Sequence, residues 1–279
     1  MTCLAYLGPP GTFTEEALLS MGGSAEAELV AMSTVPEIVR AVEAGDVDAG
    51  LIPIENSIEG SVSVTLDSLA FATERAQIVA EVVRPIRHAL LGLPGARLED
   101  ITDVESHPHA TAQCREYLAR ALPGARIHAA NSTAEAAREV SERGDATWAA
   151  IGTALAAELY GLAVVEADIE DRSENATRFV LIGRARPEPT GSDKTSVVCF
   201  IGQDRPGSLL AILHEFSDRQ INLTKLESRP TKERLGEYCF FIDMEGHADE
   251  PPVRYAIDSL RTKILEVKVL GSYPRATHA

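Results

Sequence analysis

The chain has 279 residues, 45% of them hydrophobic and 24% charged, with a formal net charge of −16 at pH 7. The length exceeds one typical domain, and the composition is that of a globular chain able to bury a core. The charge argues against nucleic acid as a partner, since phosphates require a basic face, and no stretch approaches the roughly 20 apolar residues of a membrane-spanning helix. The run from Met1 to Pro10 has no basic leader, so no secretory signal is expected and the cytoplasm is the expected compartment. Cys3, Cys114, Cys199 and Cys239 are scattered without a Cys-x-x-Cys pair or a nearby histidine at ligand spacing, so neither disulfides nor a metal is expected.

Along roughly the first 183 residues, short apolar runs alternate with amphipathic stretches, the pattern of an α/β protein with mainly parallel strands. Strands are predicted at Leu4–Leu7, Ala49–Pro53, Glu81–Leu91, Asp103–Glu105, Trp148–Ile151 and Phe179–Ile182. Helices are predicted at Glu15–Met21, Val35–Ala44, Ala110–Leu122, Ala134–Arg143 and Ala154–Tyr160. The segment Arg184–Asp193, with two prolines and a glycine, reads as a linker. After it come a strand at Thr195–Ile201, a helix at Gly207–Arg219, a strand at Leu223–Arg229 and a turn at Lys232–Gly236. A strand at Glu237–Met244, a helix at Val253–Lys263 and a strand at Glu266–Tyr273 complete the unit. The order βαββαβ is the ferredoxin-like arrangement.

Several strand-to-helix junctions carry helix-capping residues. Thr12 stands three before Glu15 and Ser132 three before Glu135, both capping-box spacings; Ser106 precedes Pro108, and Gly152-Thr153 opens another helix. In a parallel sheet such junctions fall at the carboxyl ends of the strands, where N–H groups and helix dipoles favour an anion without lysine or arginine. Most helices are capped, so each alone is also ordinary structure. Three polar runs exceed what a strand or a cap needs. They are Ile52–Ser57 ahead of Gly60, Ser106–His109 followed by Gln113, and Glu174–Phe179 entering the strand Val180–Gly183. Thr177 reads either as a β-branched strand start or as a reacting group, and Arg178 either as a solvated edge charge or as a functional cation.

Taken together, these segments resemble the prephenate dehydratase family. The resemblance rests on Gly8-Pro9-Pro10-Gly11-Thr12-Phe13-Thr14, Ile54-Glu55-Asn56-Ser57, Ser106-His107-Pro108 and the triplet Thr177-Arg178-Phe179, in that order. It spans nearly the whole chain, because the C-terminal unit resembles the ACT domain attached to these enzymes. There Ile221–Pro230 matches the family's phenylalanine-sensing motif. The resemblance implies an α/β fold like a type II periplasmic binding protein, two lobes joined by a double crossing, followed by a ferredoxin-like ACT domain. The implied division is a catalytic region at 1–184, a linker at 185–193 and an ACT domain at 194–274. One lobe is expected at about 1–75 plus 172–184, the other at about 76–171.

The implied reaction converts prephenate to phenylpyruvate, carbon dioxide and water, driven by aromatisation, with no cofactor. Thr177 is the implied donor to the departing hydroxyl, supported by Asn56, Ser106 and Gln113. Thr12, Glu55, Ser57, Arg178 and Phe179 are the implied substrate-binding residues, with Arg178 offered to a substrate carboxylate. A fully extended triplet would turn Arg178 away from Thr177. His109 departs from the glutamine that many members carry. Arogenate is an alternative substrate, and a non-catalytic amino-acid sensor an alternative role.

The ACT resemblance also implies an L-phenylalanine site between two such domains, and hence a homodimer or homotetramer. It would be lined by Gly207, Ser208, Leu209, Leu210, Asn222, Leu223, Glu227, Ser228, Arg229 and Pro230. Ser208 and Leu210 depart from the usual Gly-Ala-Leu-Val.

Overall fold

The computed structural model describes residues 2–202, 205–232 and 237–276. The chain opens with β1 (Cys3–Leu7), α1 (Phe13–Leu19), β2 (Glu28–Met32), α2 (Val35–Ala44) and β3 (Ala49–Asn56). β1 pairs in parallel with both β2 and β3. The second helix shows why the register holds. Thr34 caps it by accepting from the Glu37 N–H, Val35, Ile38, Val39 and Val42 are buried against the sheet, and Gly45 ends it at a φ of 88°.

Next come β4 (Gly60–Ser61), α3 (Ser63–Phe71) and β5 (Gln77–Pro85). The chain then crosses to a second sheet. It forms β6 (Ala89–Gly92), β7 (Asp103–Ser106), α4 (Pro108–Gln113), α5 (Arg115–Ala121) and β8 (Arg126–Ala129). α6 (Thr133–Arg143), β9 (Trp148–Gly152), α7 (Ala154–Tyr160) and β10 (Ala163–Glu166) complete this part. The chain recrosses as β11 (Ala176–Gly183), which runs antiparallel between β3 and β5. With a neighbour on each side, β11 is buried along nearly its whole length. The two crossings run side by side, tied by the Ile86 N–H to the Asn175 carbonyl and the Ile169 N–H to the His88 carbonyl.

The last unit is β12 (Asp193–Phe200), α8 (Ser208–Ser217), β13 (Leu223–Pro230), β14 (Tyr238–Glu245), α9 (Pro251–Arg261) and β15 (Glu266–Pro274). Its sheet is continuous with the first: β13-β14-β12-β15-β5-β11-β3-β1-β2, with β4 on β3, while the second sheet runs β10-β6-β9-β7-β8. The joint between β15 and β5 is a single pairing of Gly271 with Ile78. A Cβ at Gly271 would collide with the Ile78 backbone, so only glycine permits this close approach. The architecture is therefore two α/β lobes joined by a double crossing, with a βαββαβ unit fused to the first sheet.

Several expectations are corrected. The strand predicted at Glu81–Leu91 is two strands in different sheets, broken at the crossing Ile86–His88. β5 belongs to the first sheet, so the chain leaves that sheet after Pro85, not near residue 75. The helix predicted at Ala110–Leu122 breaks at Cys114, because the Asp171 carboxylate accepts the Glu116 and Tyr117 N–H groups and starts a new helix there. The sequence reading missed β2, β8 and β10, short strands that bury little. It also missed α3. The turn expected at Lys232–Gly236 lies, from residue 233 onward, outside the described residues.

Candidate active site

Between the lobes lies a cavity of about 610 Å³. Its walls come from the loop around Gly8–Thr14, the end of β3 with Glu59–Val62, and Ile86 and His88 of the first crossing. His107–Gln113 at α4, Asn131–Thr133 at the start of α6, and Thr177 and Phe179 of β11 complete it. Three of these walls are capped helix starts. Thr12 accepts from the Glu15 N–H, His107 Nδ1 from the His109 N–H and Ser132 from the Glu135 N–H. Gly11, at a φ of 89°, ties this loop to the other lobe, its carbonyl accepting from the Thr153 hydroxyl at 2.8 Å. Among the described residues lining the cavity there is no lysine or arginine; the titratable ones are Glu59, His88, His107 and His109. A negatively charged ligand here would meet backbone N–H groups and helix dipoles in place of basic side chains.

Thr177 stands directly opposite Asn56 where β11 pairs with β3. The Asn56 side-chain oxygen accepts the N–H groups of Ile58 (2.9 Å) and Glu59 (3.0 Å), which turns its Nδ2 toward β11. That nitrogen donates to Thr177 Oγ1 and to Asn175 Oδ1, both at 2.8 Å. Asn175 Nδ2 in turn donates to Gln113 Oε1 at 2.9 Å. His88 Nε2 lies 3.0 Å from the same Gln113 oxygen. Because that oxygen can only accept, His88 carries its proton on Nε2. Burial pushes the His88 pKa down, against the opposing pull of Gln113 and Glu170, and holds the ring neutral. The result is a chain of amides from the crossing to the Thr177 hydroxyl. Since Thr177 Oγ1 accepts from Asn56, its own proton is free to be donated into the cavity.

The cavity wall therefore brings together Thr177, Asn56, Gln113, Thr12 and Phe179 of the expected residues. Others fall elsewhere. Ser106 is fully buried and donates to the Ile151 carbonyl at 2.7 Å, and the cap of α4 is His107. Glu55 and Ser57 do not line the cavity. Alternation along β3 turns Glu55 to the opposite face, 3.2 Å from Lys225, and Ser57 ties the second crossing by accepting from the Ala176 N–H. The substrate-carboxylate role for Arg178 is likewise corrected. Its guanidinium is on the back face, bonded to Glu81, Asp243 and Tyr273. Asn175 and His88 were missed. Asn175 sits in the polar run Glu174–Phe179, and His88 stands beside Arg87 directly ahead of the apolar Ala89-Leu90-Leu91, the one signal in the sequence that marks it.

In the C-terminal unit, Gly207, Ser208, Leu209 and Leu210 line a pocket of about 690 Å³ with Arg205, Pro206, Leu213 and Phe240. Asn222, Leu223, Ser228 and Pro230 do not border it, and neither do Glu227 and Arg229, whose side chains reach the first lobe. Arg229 bonds Asp67 at 2.9 Å and Ser63 at 2.9 Å, and Glu227 accepts from the Ser61 hydroxyl.

A two-lobed α/β region whose cleft sets a threonine hydroxyl among capped helix starts, fused to a ferredoxin-like unit, has the architecture of a small-molecule enzyme carrying a regulatory domain. Comparison with known proteins specifies it. The family model for prephenate dehydratase matches residues 4–187 and that for the ACT domain residues 195–261. The chain is 44% identical over 279 residues to the prephenate dehydratase of Amycolatopsis methanolica, covering 99% of this chain and 90% of that one. A crystal structure of a prephenate dehydratase from Arthrobacter aurescens in complex with L-Phe superposes with a TM-score of 0.92 at 42% identity, over 99% of this chain and 90% of that one. GqqA, described as a novel type of quorum quenching acylase, superposes with a TM-score of 0.88 at 30% identity, over 98% of each chain. The chain belongs to the prephenate dehydratase family and carries an ACT domain.

Proposed function

We propose that the chain converts prephenate to phenylpyruvate, with Thr177 as the donor to the departing hydroxyl. Breaking the bond to the ring carboxylate releases carbon dioxide and returns its electron pair to the ring. The hydroxyl on the opposite ring carbon leaves as the ring becomes aromatic, and one proton is needed to make it water. The observation that carries this reading is the 2.8 Å hydrogen bond from Asn56 Nδ2 to Thr177 Oγ1. By donating to that oxygen, the amide stabilises negative charge developing on it as the Thr177 proton moves toward the leaving group. Gln113 and Asn175 hold Asn56 through the amide chain, and the helix starts at Thr12, His107 and Ser132 face the substrate carboxylates.

The acylase relative poses the rival chemistry, hydrolysis through an activated nucleophile. A threonine nucleophile needs a base accepting its proton, and the group bonded to Thr177 is an amide donor. That polarity supports the dehydratase reading. Incubating the purified protein separately with prephenate, arogenate and an acyl homoserine lactone, and following phenylpyruvate, phenylalanine and free acid, tests it. Phenylpyruvate from prephenate alone is expected; release of product only from either of the others would reject the assignment.

The L-Phe complex of the Arthrobacter aurescens relative supports L-phenylalanine as the effector here. Its site is proposed between Gly207–Leu210 of one subunit and Asn222–Pro230 of another, in a homodimer or homotetramer. Both segments belong to one chain, yet Asn222–Pro230 does not line the pocket that Gly207–Leu210 borders. Light scattering with and without L-phenylalanine reads the subunit number. The proposed division remains 1–184, 185–193 and 194–274, in the cytoplasm; among the described residues no helix is long and apolar enough to cross a membrane.

A further inference from the structure

β3 and β11 carry different chemistry on their two faces. Toward the cleft stand Asn56 and Thr177; their sequence neighbours Glu55 and Arg178, also a register pair, face the other way. The back face is gripped by the regulatory unit. Arg178 is 9% exposed, and its Nη1 lies 2.6 Å from Asp243 of β14 while its Nη2 donates to Tyr273 of β15 at 2.7 Å. Its Nε donates to Glu81 of β5 at 2.7 Å, and Lys194 of β12 holds the same carboxylate at 2.9 Å. Lys225 of β13 reaches Glu55 at 3.2 Å. Tyr273 is fully buried and is itself fixed by Ser196 at 2.7 Å. The β11–β3 ladder shifts register between Arg178 and Phe179. On the β3 side the ladder is therefore irregular beside Thr177, while the pairing with β5 runs unbroken from Ala176 to Leu181; the side-chain bonds of Arg178 add to that pairing in setting the strand.

We propose that Arg178, Asp243 and Tyr273 are positioning residues for the reaction: the regulatory unit sets the orientation of the Thr177 hydroxyl by holding the back of its strand. The inference rests on Thr177 being the donor to the leaving hydroxyl. A buried guanidinium whose partners are all placed has few alternative geometries, so a shift of β14 or β15 is transmitted to residue 178 and hence to 177. This supplies a route from the regulatory unit to the cleft that does not pass through the substrate. It also explains why an arginine follows the reacting threonine although it touches nothing in the cavity.

The test uses the full chain with Tyr273→Phe, which removes one hydroxyl and keeps the ring, and with Asp243→Asn. A positioning role predicts that kcat on prephenate falls about tenfold or more per folded enzyme while KM stays within about twofold. Hydrogen exchange of the Asn56 side-chain amide should quicken while that of the β1 backbone amides is unchanged, which general loosening would not produce. Arg186→Gln, which removes the exposed pair between the linker and Asp249 of the regulatory unit, should leave both readouts at wild-type values. Wild-type kcat and unchanged Asn56 exchange in folded Tyr273→Phe would overturn the proposal, as would an equal loss in Arg186→Gln. If Asp243→Asn fails to fold, Tyr273→Phe decides alone. If the wild type does not act on prephenate but Asn56 exchange responds to Tyr273→Phe, the activity reading fails and the positioning stands.

Discussion

Replacing Thr177 with valine isolates the hydroxyl, because valine matches threonine in shape and strand preference. The residue is 8% exposed and is paired on both sides, to Asn56 and to Arg84, so the backbone has little reason to move. What changes is local. The Asn56 Nδ2 keeps Asn175 at 2.8 Å, and its other hydrogen is left with the Ala176 carbonyl at 3.3 Å. That weaker satisfaction costs about 1–3 kcal/mol of folding stability at most, leaving a folded protein. The catalytic loss is separate. A positioned proton donor is worth about 10²–10⁴ in rate, or roughly 3–5 kcal/mol of transition-state stabilisation. In a steady-state assay following phenylpyruvate, kcat should fall by that factor with KM little changed, since the hydroxyl acts mainly in the transition state. Thr177→Ser, which keeps the oxygen but frees its rotamer, should retain more activity than Thr177→Val. Turnover of Thr177→Val within about threefold of wild type, in a protein with wild-type circular dichroism, would refute the donor role.

Three further outcomes follow from the charges. The folded state keeps His88 neutral below the pH at which the unfolded chain protonates it. Stability should thus be full above about pH 6.5 and decline as the pH falls through that value toward the depressed folded pKa. Thermal melts against pH should show this decline reduced in His88→Phe, and an identical pH dependence would contradict it. Burial, with Glu139 beside it, pushes the Glu105 carboxyl above the usual carboxylate range. Its contribution is then fully present below the unfolded pKa and lost as the pH rises through the folded one. Relative to wild type, Glu105→Gln should be more stabilised at about pH 8 than at about pH 4, read by denaturant midpoints. Arg229→Gln should blunt the response of the rate to L-phenylalanine while turnover without it stays close to wild type; a full response in that variant would reject Arg229 as part of the effector path.

Much was legible in the sequence because it is written in short-range chemistry. Capping spacings marked the helix starts at Thr12 and Ser132, apolar runs marked the strands that carry the core, and the βαββαβ order of the last unit needs only its sequence of periodicities. The polar runs at Asn56, Gln113 and Thr177 stood out because no strand or cap requires them. Other features depended on distance in space. The strand predicted through Glu81–Leu91 mixes apolar residues with Glu81, Arg84, Arg87 and His88, and competition between two sheets decides that it breaks at Ile86–His88 and brings His88 beside Gln113. Which side of a strand faces the cleft is likewise a tertiary matter. Alternation says that Thr177 and Arg178 part company, but only the docking of β14 and β15 shows that Arg178 is claimed by Asp243 and Tyr273. Ser106 looks like a site residue in the chain and is a buried tie to Ile151 in the fold, because a hydroxyl at a strand end serves whichever neighbour the packing places against it.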